Sequence, residues 1–332
     1  MKKLLASLLL GAAVGLSLQS PAHAERTLRV TLQVPTNHEV GQNVVLFKKT
    51  VEEMSKGEIN VEIYDAAQLY KGSEVPQAVS SGAIDMGLVL IDEFAGTIPA
   101  ASIFSVAFMF PDYDILAKAA APDSPVRKTI DDAILKTGAR VLWYQDYGPV
   151  QLLGRRDEIR VPADIKGKKV RVLGKPSGDF IEAVGAVPVK VGGSEQFVAY
   201  QRGTVDVGMT GTTAIRSRKL YEVMNSVTIT NHAQTEFLIV MSEKTWQALS
   251  DQEKKWVHEA AMVAEKDLRN STKQNNLEAE EFIAKETKMK VIHLTPEELA
   301  EWKKAAEPAV DAYIKEAGDL GKTLVEQVRA LY

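Results

Sequence analysis

Apolar positions along this chain recur with two periods, and the switching between them predicts strands and helices in alternation. Leu28 to Val34 alternates and predicts a first strand, broken by Pro35-Thr36-Asn37-His38. From Asn43 to Lys56 the spacing becomes three and four, which puts Val44, Phe47, Val51 and Met54 on one helical face before Gly57. Ile59 to Tyr64 returns to period two, and Met86 to Leu90 is an apolar run of buried-strand length. Ser102 to Phe110 is apolar up to Pro111, Asp123 to Lys136 is helical, and Arg140 to Tyr144 is a strand. The cycle then restarts. Pro162 to Gly167 is a short helical turn, Lys169 to Val172 a strand, Ser177 to Val184 a helix, and Pro188 to Val191 and Phe237 to Met241 are strands. Ser250 to about Lys288 is a long charged helix or a pair, opened by the capping box Ser250-Asp251-Gln252-Glu253. Val291 to Leu294 is a short strand, and Thr295-Pro296 opens a last helical region. Strand and helix in alternation define the α/β class.

Within this pattern one stretch occurs twice. Residues 73–87 and 194–208 align without a gap, and six positions are identical: Ser73/Ser194, Glu74/Glu195, Ala78/Ala199, Gly82/Gly203, Asp85/Asp206 and Gly87/Gly208. Each copy reads as a short helix, a Gly that accepts a left-handed backbone, and a strand entered through Asp. The repeat predicts two similar α/β lobes with one cleft between them, the two copies lying in separate sheets.

Composition narrows the setting. Lys2 and Lys3, the apolar run Leu4 to Leu18 and the Ala22-His23-Ala24 site predict a secretory signal over residues 1–24. The run is short of the ~20 residues of a membrane span. The sequence has no Cys, so disulfides, thiol chemistry and a lipidated Cys are excluded, and the protein is expected free in the periplasm. A net charge of −4 with no basic stripe disfavours nucleic acid as a partner. Enzyme signatures are missing from the pattern: there is no nucleophile elbow, dinucleotide fingerprint or phosphate loop, and no His pair has metal-ligand spacing. No catalytic residue, metal or cofactor is expected.

Three stretches carry candidate chemistry. Arg171 alternates with Val170 and Val172 and points away from them. A buried Arg needs a partner, either a ligand carboxylate gripped through two parallel hydrogen bonds or a surface Glu at a strand edge. Trp143, Tyr144 and Tyr147 cluster with Asp146 where the chain passes between lobes, able to stack on a ligand or to serve as core. Thr210, in Thr210-Gly211-Thr212-Thr213, follows the second repeat's strand and suits an anion or a helix cap. Gln33, Asn37, Leu90 and Asp92, at strand ends of the first lobe, are the candidate contacts from the other side, with Gln151 and Glu236 completing the set.

At Asp164-Ile165-Lys166-Gly167-Lys168-Lys169-Val170-Arg171-Val172, Gly185-Ala186-Val187-Pro188 and the second repeat, the chain resembles the solute-binding proteins of tripartite ATP-independent periplasmic (TRAP) transporters, of the dicarboxylate-binding DctP type. Gln68-Leu69 and Gly82-Ala83-Ile84-Asp85 extend the likeness into the first half. The resemblance implies a monomeric two-lobed receptor with a long helix across both lobes, which closes on an organic acid and hands it to membrane permease subunits. It implies lobe one at 25–147 and 236–275 and lobe two at 148–235 and 276–332. It also places Arg171 on the family's carboxylate-binding Arg. Many members carry a second Arg about twenty residues earlier, where this chain has Gln151 beside Val150, and an Asn where it has Thr210. A monocarboxylate with a hydroxyl or aromatic body is therefore expected over a dicarboxylate. A secreted enzyme acting on an organic acid, or a ligand-binding partner of a membrane sensor, is the competing reading.

Overall fold

The structure, a computed structural model, describes residues 26–332; the predicted signal at 1–24 lies outside the described residues. A first βαβαβ unit comprises β1 (Arg26–Thr31), α1 (Glu39–Met54), β2 (Ile59–Tyr64), α2 (Val75–Ser81) and β3 (Met86–Leu90). α3 (Tyr113–Ala120) and α4 (Pro125–Leu135) lead into the long strand β4 (Ala139–Gly154). A second unit repeats the first: β5 (Lys169–Val172), α5 (Lys175–Ala183), β6 (Val187–Lys190), α6 (Gln196–Arg202) and β7 (Val207–Gly211). α7 (Thr212–Ser217), a second long strand β8 (Ser226–Ser242) and α8 (Glu243–Ala248) follow. The chain then runs through α9 (Asp251–Glu286), β9 (Lys290–His293), α10 (Pro296–Ala306) and α11 (Ala309–Arg329).

The strand order is β2-β1-β3-β8-β4-β7-β5-β6, with β9 added to β8. Read from either end it is the same architecture, so a pseudo-twofold axis passes between β8 and β4. These two strands pair antiparallel from Ala139↔Ser242 to Gly154↔Ser226. β3 pairs with the last part of β8, Met86↔Met241 to Leu90↔Phe237, and β7 with the last part of β4, Val150↔Gly211 to Gly154↔Val207. The two copies of the repeat thus belong to one hydrogen-bonded sheet, not to the two separate sheets the sequence predicted. The reason is that the chain crosses between halves in extended conformation. β4 is 16 residues long and β8 17, against predicted strands of 140–144 and 237–241. Register shifts between Val141 and Trp143, Asp146 and Gly148, and Val150 and Leu152 break the period-two pattern in β4. In β8 the polar run Thr228 to Gln234 hides the strand.

Four of the six identities in the repeat do the same work twice. Glu74 accepts a hydrogen bond from Lys71 N at 2.7 Å and Glu195 from Gly192 N at 3.3 Å, fastening the turn before each helix. Gly82 and Gly203 end the helices at φ 78° and 71°. Asp85 accepts from Arg29 N and Asp206 from Lys169 N, each at 3.0 Å, which ties each repeat to the first strand of its unit. A Cβ on Gly87 would lie 2.4 Å from Val75 Cγ1, and one on Gly208 2.8 Å from Tyr200 Cζ, so both strands run directly under their helix.

The ambiguous charged region is one helix of 36 residues, and its Ser250–Glu253 capping box is present. α9 packs on α1 of the first unit, along β4, and on α7 beyond the second unit, so it lies across both halves. α1 starts at Glu39, four residues before the predicted position, because His38 caps it through Nδ1 and Val40 N. α11 packs on the 3₁₀ segment Pro99–Ser105, on α4 and on α5. Tyr313 donates to Ala100 O at 2.7 Å, and Gln327 hydrogen-bonds Thr129. The C-terminal segment, expected wholly with the second lobe, therefore also braces the first.

Candidate functional site

A small cavity of about 20 Å³ lies where the two units face each other. Gln33, Leu90 and Glu93 reach it from the first unit and the turn after it; Arg171, Leu173, Gly193, Gln196 and Thr210 from the second; Arg218 from the end of α7; Tyr147, Thr235 and Phe237 from the crossing strands. Gln33 marks the pseudo-twofold. A Cβ on either of the equivalent glycines Gly72 and Gly193 would lie 2.5 and 3.0 Å from its Oε1, so each glycine leaves room for that side chain. Its Nε2 and the Thr235 Oγ1 are buried with no hydrogen-bond partner among the described residues. Buried polar groups are rarely left so, and a polar occupant of the cavity would satisfy both.

Arg171 is the charged centre. It is 3% exposed, held by Nε to Val191 O at 3.0 Å and by Nη1 to Met209 O at 2.5 Å. These two carbonyls fix the plane of the guanidinium. Burial pushes its pKa down, and the nearby Arg218 guanidinium pushes the same way. Its partner is neither a surface Glu nor any other carboxylate within salt-bridge distance among the described residues. Tyr147 closes one wall: its hydroxyl lies 3.4 Å from Thr210 Oγ1, its ring stacks on His38 at 5.7 Å and meets Phe237 edge-on at 5.2 Å.

The cavity thus brings together Arg171, Thr210, Gln33, Leu90 and Tyr147 from the sequence candidates. The others lie elsewhere. Asn37 is exposed, ahead of the α1 cap. Trp143 is fully buried in the first unit's core, donating Nε1 to Asn43 at 2.9 Å and packed on Phe47. Tyr144 donates to Asp131 at 3.0 Å beneath the Arg127 guanidinium. Gln151 binds Asn231 Oδ1 at 2.7 Å and accepts from Thr230 N and Asn231 N, holding the bend in β8 where Asn231 has φ 46°. Asp92 is buried behind the wall, accepting from Ser105 Oγ at 2.8 Å, its other oxygen against Gly174; burial raises its pKa to about 7. Thr210 belongs to β7 itself; the junction is one residue later, with Gly211 capping α7. His232 is core, stacked on Phe180.

Glu236 stands directly opposite Asp146 where β4 and β8 cross. Two like charges side by side in a sheet repel, and α9 answers with Arg269, 3.7 Å from Glu236 and 3.9 Å from Asp146. Glu265 of the same helix pairs with Arg127 at 2.5 Å. Burial raises the pKa of both crossing acids, with Arg269 opposing the rise. Glu236 is therefore part of the joint that binds α9 to the crossing strands. No group of three or more His, Asp or Glu among the described residues has the geometry to hold a metal ion.

Contacts between the halves rim the cavity. Thr213 donates to Glu39 at 2.5 Å, Lys71 meets Glu195 at 2.8 Å, and Lys190 meets Glu93 at 2.9 Å. Burial raises Glu39 to about 8, partly offset by the Thr213 hydrogen bond. A 20 Å³ cavity holds little more than one water, so an organic acid does not fit it in this arrangement.

Paired α/β units, joined by crossing strands and meeting over a polar, cationic cavity, define a two-lobed solute receptor. The chain belongs to the bacterial extracellular solute-binding protein family 7, DctP, whose family model matches residues 31–316. It is 26% identical over 325 residues to the sialic acid-binding periplasmic protein SiaP of Vibrio cholerae, covering 96% of this chain and 97% of that one. It is 25% identical over 321 residues to the C4-dicarboxylate-binding periplasmic protein DctP of Rhodobacter capsulatus, covering 96% and 95%. Among solved structures, a TRAP periplasmic solute-binding protein of Sulfurospirillum deleyianum with bound succinate superposes with a TM-score of 0.86 at 28% identity, covering 93% of this chain and all of that one. No helix among the described residues is long and apolar enough to cross a membrane.

Proposed function

We propose that this protein is the periplasmic receptor of a TRAP-type transporter, that it closes as a monomer around a small organic acid anchored on Arg171, and that it presents the acid to membrane permease subunits without altering it. The observation that carries the reading is the Arg171 guanidinium, buried, fixed by two carbonyls and aimed into a cavity shared by both halves. A planar guanidinium so held is preorganised for a carboxylate. The relatives support it, since C4-dicarboxylate and succinate are carboxylates. The halves part at the crossing, near 147–148 and 235–236, so that lobe one takes 25–147 with 236–275 and lobe two 148–235 with most of the remainder.

A thermal-shift panel of organic acids tests this. A bound acid at 100 times its Kd adds about 2.7 kcal/mol to stability, and Arg171→Ala removes the shift while the unliganded melting curve stays cooperative. Acid released by denaturation is expected chemically unchanged, and size-exclusion with light scattering is expected to give one chain. An unaltered ligand shift in Arg171→Ala refutes the anchor; a converted product refutes the receptor.

A further inference from the structure

The second Arg that many members of the family carry is missing from β4, and on that ground the sequence favours a monocarboxylate over a dicarboxylate. The structure supplies another cation. Arg218, just past α7, lines the cavity with Arg171. A Cβ on Gly193 would lie 3.2 Å from its Nη2, so the guanidinium rests on that glycine beside Gln33 Oε1. No side-chain hydrogen bond or salt bridge engages Arg218 among the described residues; only its backbone N–H is used, to Ala214 O. The acid nearest the cavity, Glu93, is engaged by Lys190 at 2.9 Å. Gln33 is 4% exposed, and its Nε2, unpartnered, belongs to the same wall.

We propose that Arg218 is the specificity-determining residue of this receptor: it grips a second carboxylate of the ligand and makes the protein prefer short acids with two carboxylates over their monocarboxylate counterparts. The proposal rests on Arg171 as the first anchor. Two guanidinia facing one small space repel each other, and the repulsion strengthens as closure removes water. A dianion neutralises both and lets the halves close. A monoanion leaves one cation without a counter-charge, which costs more the further closing takes half-buried Arg218 out of water. Gln33 Nε2 and Thr235 Oγ1 can donate to the carboxylate oxygens that the guanidinia leave free.

The test is titration calorimetry of the full chain with matched pairs: succinate and butyrate, malate and 3-hydroxybutyrate, glutarate and valerate. The proteins are wild type, R218Q and R171Q, each checked for unchanged circular dichroism. In the wild type at least one dicarboxylate is expected to bind about 100-fold tighter than its partner. R218Q is expected to lose about 30-fold or more for that dicarboxylate while the monocarboxylate changes less than about threefold. R171Q is expected to weaken both members of a pair. If no dicarboxylate outbinds its partner, or if R218Q lowers both alike or neither, Arg218 is not the selector. If R171Q leaves both affinities intact, it is the parent reading that fails, whatever R218Q does.

Discussion

The two βαβαβ units share a backbone plan but not a chemistry, and the contrast is sharpest on their first strands. Asp85 fastens Arg29 N and Asp206 fastens Lys169 N, which makes Arg29 equivalent to Lys169 and therefore Thr31 equivalent to Arg171. Both side chains are buried. One unit places a small hydroxyl at that position and the other a guanidinium. With Arg218 beyond α7, both cavity cations come from the second half, whereas the first unit itself supplies only Gln33 and Leu90. The scaffold is symmetric and the charge is not. On the proposed reading an acid docks on the second half through its carboxylate, and the first half closes over it with Gln33, Leu90 and Glu93, whose charge Lys190 answers. Closure as a shift between open and closed populations requires contacts with both halves, but not equal ones.

Exchanging the two residues is the strongest way to break this contrast. Arg171→Thr, which copies the first unit, is expected to cost about 2–5 kcal/mol of binding because the ligand carboxylate loses its buried partner. The converse, Thr31→Arg, buries a cation without a partner and is expected to destabilise the fold by several kcal/mol. Calorimetric titration and thermal unfolding measure the two. If Arg171→Thr binds like wild type, the asymmetry has no functional meaning.

Replacing the repeat glycines asks whether the units are equally tight. Gly87→Ala and Gly208→Ala are each expected to cost about 1–3 kcal/mol of stability through overpacking. Gly87→Ala should cost the more, since its methyl would meet Val75 at 2.4 Å against 2.8 Å for Tyr200. Equal melting temperatures in both variants and wild type would show that the close approach is not real.

Glu39 reports on closure through pH. Its pKa is about 8 in this structure, against 4.5 for a free glutamate, chiefly because burial at the rim takes the carboxyl out of water, and opening of the rim is expected to return it. A carboxyl with a raised value holds its proton more tightly when closed. The penalty for closing is absent below about pH 4.5, grows as pH rises, and is complete above about 8. Asp92, raised to about 7 behind the wall, acts in the same direction if it too is wetted on opening. Affinity is thus expected to fall roughly 25-fold between pH 6.5 and 8.5 from Glu39 alone, where a simple carboxylate ligand is already ionised. Glu39→Gln should flatten that slope; an unchanged slope would mean that Glu39 does not move between environments. The smallest effect belongs to Lys71–Glu195, the exposed pair that joins the two repeats across the rim, worth about 0.2–1 kcal/mol to closure in a double-mutant cycle.

How much of this was legible in sequence depended on whether a residue's partner was local. The helix-capping glycines and the turn glutamates of the repeat were readable because each acts within its own helix-turn-strand, whereas Asp85 and Asp206 reach back to the first strand of their unit. Arg171 was readable because alternation in β5 fixes its direction. Arg218 was not: it sits in a polar stretch, Arg216 to Lys219, and only the return of α7 to the sheet brings it to the cavity. Trp143 and Tyr144 misled for the opposite reason. They lie at the right height along β4 but on the first unit's core, and the bulges that decide which face each residue takes leave no mark on the pattern. Glu236 is at the joint, where a lone acid gives no hint that its neighbour across the strands is another acid.

Three continuous elements, β4, β8 and α9, run through the joint between the halves, and Arg269 of the helix faces an acid on each strand, Asp146 at 3.9 Å and Glu236 at 3.7 Å. A hinge of loops permits many swings. One made of two hydrogen-bonded strands and a helix stiffly resists twist and shear, leaving bending across the strands as the soft motion. The same construction denies either half an independent existence: cut apart, each would expose the raw edges of β4 and β8. Heating should therefore melt the molecule as a single unit, and proteases should find no intact half to release.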